Sequence, residues 1–107
     1  MNIPNTITLY YCTTAQNHIY IIERGIIPAG NGQRDGRTVN VVTFNAIHPN
    51  YAPFPNDILT HFIKIVFPRN HPNLENCMDI NPNVWMYYGD VNLENFNNWE
   101  EGIINPA

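Results

Sequence analysis

The stretch ITLYYCTTAQNHIYIIERGIIP, residues 7–28, changes its hydrophobic period half-way, and that change decides the class of fold. Ile7 to Cys12 is rich in β-branched and aromatic side chains and follows Pro4, so it reads as a strand. Thr13-Thr14-Ala15-Gln16 has the form of a capping box, with Thr13 at the N-cap and Gln16 three residues on. Ala15, Ile19, Ile22 and Ile26 follow at i, i+4, i+7 and i+11, one face of a helix. His18 falls off that face and reads as a surface histidine. Gly25 stands where a helix ends on a left-handed residue.

Outward from this unit the pattern is of strands and turns. Pro28 to Arg37 (PAGNGQRDGR) has no apolar periodicity and reads as a mobile surface loop. Thr38 to Phe44 is a strand by β-propensity, whereas Pro49, Pro53 and Pro55 bar helix and central strand from Asn45 to Asn56. Ile58 to Phe67 returns to strand, with Leu59, His61, Ile63, Ile65 and Phe67 on one face. Asn70 to Pro82 reads as a polar loop and Val84 to Tyr88 as a short apolar strand stopped by Gly89. Leu93, Phe96 and Ile103, with Trp99 between, suggest a closing helix or irregular turn, and Trp85 and Trp99 are expected in the core. NLEN occurs at Asn73–Asn76 and Asn92–Asn95 with unmatched flanks, a coincidence rather than a repeat. One early helix followed by several strands predicts a single α+β domain over residues 1–107, the helix against two small, mostly antiparallel sheets.

The composition narrows the function. The chain has 107 residues, too few for a second core. Eighteen are asparagine and nine proline, while 44% are hydrophobic, which is too apolar for a disordered chain. Five basic residues against nine acidic ones give a net charge of −4, which argues against a high-affinity nucleic-acid surface. No apolar run is long enough to span a membrane and no signal-peptide pattern opens the chain, so a cytoplasmic, soluble protein is expected. Cys12 and Cys77 have no CxxC partner and read as ordinary reduced thiols. His18, His48, His61 and His71 show no metal spacing; His48 and His71 each sit in HPN, a turn signature.

No phosphate loop, nucleophile elbow or metalloprotease motif is present. The nine carboxylates read mostly as solvated surface. Arg34 and Arg37 are two of only four arginines and fall together in the glycine-rich segment. There they are either solubilising residues or donors able to grip phosphate bidentately.

Tyr10-Tyr11-Cys12-Thr13-Thr14, then Ile22, then Gly25-Ile26-Ile27-Pro28 resembles the opening of the ADP-ribosyltransferase-like lobe. The nearest pattern is that of the NAD-dependent RNA 2′-phosphotransferases, a strand ending in HGT, a helix and GL-P. Asn17 is similar to an asparagine of the DNA-targeting ADP-ribosyltransferases. Gly36-Arg37 with Val41 to Asn45 resembles the phosphotransferases' Arg-containing HVHLS strand, and Asn83 to Met86 with Asp90-Val91 resembles a late strand and acidic turn. Tyr11, Cys12, Val41 and Thr43 depart from that pattern, standing in place of a histidine, a glycine and two further histidines. The resemblance implies NAD as cofactor, lying in a cleft between two sheets and held by Tyr11, Thr13, Thr14, Asn17 and Arg34. It implies Arg37 on phosphate and a late carboxylate, Glu94, orienting the ribose, in a transferase of ADP-ribose or of a phosphate-linked ribose product.

The residues also allow a different class: a non-enzymatic inhibitor or accessory module that binds a protein partner through Tyr51 and Phe54.

Overall fold

The computed structural model describes residues 4–51 and 58–104. Strand β1 (Thr6–Thr13) leads into helix α1 (Ala15–Arg24), then β2 (Ile26–Ile27), β3 (Gly30–Arg34), β4 (Arg37–Asn45), β5 (His61–Pro68), β6 (Leu74–Asn76), β7 (Val84–Tyr88), β8 (Val91–Asn92) and β9 (Trp99–Ile103). A 3-10 turn at Leu93–Asn95 separates the last two. The protein is an α+β domain in which a seven-stranded antiparallel sheet, ordered β6-β7-β4-β1-β5-β9 with β3 paired to β4, carries a separate β2-β8 ribbon. The two small sheets expected from the sequence are therefore one large curled sheet and one ribbon. The radius of gyration, 13.6 Å, fits the roughly 13 Å of one domain of this length.

The long register of β1 on β5, Thr6↔Pro68 to Thr13↔His61, forms the centre of the sheet. By contrast β1 and β4 share the single pair Tyr10↔Asn45, because the first half of the same β4 edge is taken by β3. The main core lies on one face, where Leu9, Val42, Phe44, Ile63, Ile65, Phe67, Trp85 and Tyr87 meet Ile21 of α1 and Ile27, Val91, Leu93 and Phe96 of the ribbon side. Trp99 packs against its rim. A smaller cluster of Val41, Cys77 and Met86 covers the opposite face, which is why consecutive residues of β4 and β7 are both buried.

Four sequence expectations change. Residues 30–34 are a strand, not a mobile loop: Asp35 (φ 52°) and Gly36 (φ 75°) close a two-residue hairpin onto β4, and Asp-Gly is the pair that tolerates two positive φ angles. The loop at 70–82 contains β6 because Leu74 to Asn76 pair with β7. The closing segment is a 3-10 turn and a strand rather than a helix, with Trp99 to Ile103 paired along β5. In α1 the cap and the buried face both shift. Thr14 is the N-cap, its side chain accepting from the Asn17 amide, and His18 and Ile21 are the buried residues. Ile19 is 57% exposed. The cap shift follows from β1, which stays paired through Thr13. Both HPN segments are turns, in which the His48 and His71 Nδ1 atoms accept the amides of Asn50 and Asn73 at 3.1 Å.

Candidate functional site

At the junction of β1 and α1 the backbone turns through Thr13-Thr14. Thr13 ends its strand on the core-facing side, 3% exposed. A buried hydroxyl requires a partner, and Asn17 supplies it, donating through Nδ2 to Thr13 Oγ1 at 2.7 Å. The Asn17 backbone amide meanwhile donates to Thr14 Oγ1 at 3.1 Å. Tyr11 stands on the same side, and burial pushes its phenol above the ordinary value, opposed by hydrogen bonds with Asn17 and Thr13. The structure thus brings Tyr11, Thr13, Thr14 and Asn17 together around one helical terminus.

Beside this group His18 is packed on β5 and the edge strand β9, which the sequence does not connect to it. Its ring lies 4.8 Å from that of His61, and its Nε2 is 3.3 Å from Glu101 Oε2. His61 Nδ1 contacts Thr60 Oγ1 at 2.8 Å. His18 Nδ1 is buried without a hydrogen-bond partner. The expected surface histidine is therefore an interior one.

Asn17 also belongs to a cleft of about 210 Å³ lined by Asn17, Tyr20, Ile21, Arg24, Ile26 and Pro28. Four of these recur at i, i+3, i+4 and i+7 on α1, so one helical face forms a wall and the chain leaving the helix forms the other. The volume lies below the roughly 300–1,000 Å³ of drug-sized pockets, enough for one ring system with the rest of a larger ligand on open surface. Arg24 lies over the Tyr20 ring at 5.3 Å from its centroid.

The remaining candidates stand apart. Arg34 donates to Glu75 Oε1 at 3.0 Å and to both oxygens of Asp79 at 2.8 and 3.0 Å. Tyr88 donates to the same Glu75 oxygen at 2.6 Å. The guanidinium that could have gripped phosphate is spent on two carboxylates, which accordingly are not free solvated groups. Arg37 is exposed at the hairpin end of β4. It stands eight positions from Asn45, the residue registered with Tyr10 of β1, which is roughly 26 Å of strand. Alternation places it on the side of Val39 and Val41, opposite the main core. Glu94 is exposed, with a 3.4 Å contact from Asn92 Nδ2. Its neighbour Leu93 donates its amide to the Gly25 carbonyl at 2.8 Å, so Glu94 follows the chain past the end of α1.

Cys12 and Cys77 are free thiols, and burial pushes Cys12 up to about 11. Among the described residues no group of three His, Cys, Asp or Glu side chains is placed to hold a metal ion, and no helix is long and apolar enough to cross a membrane. Tyr51 is 83% exposed above His48, whose ring also meets Tyr10 and Phe62; Phe54 lies outside the described residues.

Sequence reading missed His61, Glu101, Tyr20 and Arg24. His61 reaches the site through the β1-β5 register, which sets it opposite Thr13, and Glu101 through the β5-β9 pairing, while an arginine in a last helical turn reads first as a partner for the helix dipole. No protein-family model, curated protein or solved structure matches the chain.

Proposed function

We propose that the chain is an NAD-binding domain of the ADP-ribosyltransferase-like kind, with its cofactor held at the β1-α1 junction and along the adjoining cleft. What supports the reading is that Asn17 serves both places: it fixes Thr13 and lines the cleft wall. Four of the five residues that the family resemblance nominates for the cofactor, Tyr11, Thr13, Thr14 and Asn17, are thus neighbours, and Arg34 is not. Of the residues nominated for chemistry, Glu94 is retained as the carboxylate that would orient the ribose for transfer to an acceptor, because the chain carries it past the end of α1. Arg34 and Arg37 are left out of the site, the first for its ion pairs and the second for its distance. Positioning and electrostatics would carry the reaction as the bond to nicotinamide loosens.

Titration of NAD into the protein, followed through backbone amide NMR signals, tests this. Shifts are expected at Tyr11 to Asn17 and at Arg24 to Pro28, with none at the Asp35-Gly36 turn. An unchanged spectrum at millimolar NAD would overturn the reading.

A second reading, a module that captures a protein partner, is favoured by one observation. Tyr51 projects from an aromatic group formed with His48, Tyr10 and Phe62, and exposed aromatics on rigid support make strong anchors. Under this reading Tyr51→Ala removes partner capture and leaves NAD-dependent shifts untouched.

A further inference from the structure

We propose that Arg24 is the phosphate contact of the cleft, so that a nucleotide lies with a ring against Ile21, Ile26 and Pro28 and its phosphate on the Arg24 guanidinium. This rests on the NAD reading and deepens it by naming the subsite that recognises charge. Three of the five cations are already committed. Arg34 is paired with Glu75 and Asp79, Lys64 with Glu100, and Arg69 donates to the Pro4 carbonyl. Among the described residues Arg24 lines a cleft and has no carboxylate partner; the Tyr20 face supports it instead. The Arg24 guanidinium carbon lies 5.3 Å from the Tyr20 ring centroid, a contact that supports the cation through its face and leaves N–H groups for charge-assisted bonds to phosphate oxygens.

The surroundings are compatible with an anion. Of the last carbonyls of α1, that of Ile21 accepts the Gly25 amide at 2.7 Å, and beyond the helix the Gly25 carbonyl accepts the Leu93 amide at 2.8 Å. Asp90 accepts from the Ala29 amide at 2.8 Å, beyond the Pro28 end, and Glu94 contacts Asn92. The cleft therefore grades from Asn17 at the amino-terminal end of the helix, over an apolar middle, to a cation.

Calorimetric titration of ADP-ribose and of adenosine into the full chain, as wild type and as Arg24→Gln, tests the assignment. Arg24→Gln is expected to weaken ADP-ribose about tenfold or more, the size of a lost charge-assisted bond, and to leave adenosine within about twofold. A well-dispersed NMR spectrum of the variant confirms that it is folded. Binding of ADP-ribose equally to both proteins would overturn the Arg24 subsite while the NAD reading stands. Equal weakening of adenosine and ADP-ribose would overturn the phosphate contact and assign Arg24 to the base. Failure of wild type to bind either ADP-ribose or NAD would overturn both readings.

Discussion

Thr13 and Thr14 are adjacent residues of one type with separate duties. Thr13 ends a central strand and is buried against Asn17, whereas Thr14 caps the helix. Their separation predicts separable variants. Thr14→Ala should lower stability by about 1 kcal/mol, the usual loss for an N-cap hydroxyl, with Thr14→Ser close to wild type in urea unfolding. Asn17→Ala should reduce NAD-induced shifts at Tyr11 and Thr13 more than at the Arg24 end, since it removes one anchor and leaves the other. Cys12, pushed up to about 11 by burial, stays a neutral thiol near pH 7. Iodoacetamide should label it slowly at pH 8, with the rate rising steeply above pH 10; rapid labelling at pH 8 would contradict that environment. The residues around Thr13 were legible because they lie inside one well-patterned unit. His18 was not, since the groups that pack against it, His61 and Glu101, come from β5 and β9, far along the chain.

Legibility differs from element to element for the same reason. Strands β1, β4, β5 and β7 are dense in β-branched and aromatic residues, and each reads correctly to within a few positions. Strand β3 is Gly-Asn-Gly-Gln-Arg, with no apolar side chain; only the Asp35-Gly36 pair that follows announces it. The two NLEN segments make the limit concrete. Asn73 to Asn76 leads into β6 beside β7, while Asn92 to Asn95 forms the 3-10 turn, its Asn92 side chain accepting from the Glu94 amide. Identical tetrapeptides take two structures because their partners differ. Two substitutions probe elements directly. Gly36→Ala places a side chain at φ 75° and should cost about 1–2 kcal/mol, loosening Arg34 from its carboxylates along with the hairpin. In β9, the Phe62 ring occupies the space where a Cβ on Gly102 would stand. Gly102→Ala should therefore destabilise by about 1–3 kcal/mol, with amide exchange quickening first in β9.

For the whole molecule, polar side chains link distant segments: Arg34 joins the hairpin to β6 and the β6-β7 connection, and the Lys64–Glu100 ion pair and the His18–Glu101 contact tie β5 and α1 to β9. The Arg34 guanidinium holds the Asp79 carboxyl below its ordinary 3.8. A carboxyl depressed in the folded state adds stability above its unfolded pKa and loses it as pH falls through the folded one. Acid unfolding monitored from pH 5 downward should consequently be shallower in Asp79→Asn, which has nothing left to protonate there. An unchanged profile would mean that other carboxylates govern the acid limb.

The placement of β1 between β4 and β5 has a consequence for biogenesis. On the ribosome β1 emerges well before its long partner, which begins only at His61. Until that segment emerges, ITLYYC is an apolar ribbon without its main neighbour, the kind of segment that joins its counterpart on another nascent chain. Translation products stopped before residue 61 should be insoluble and dependent on chaperones, whereas the full chain rescues its own opening strand by continuing to grow.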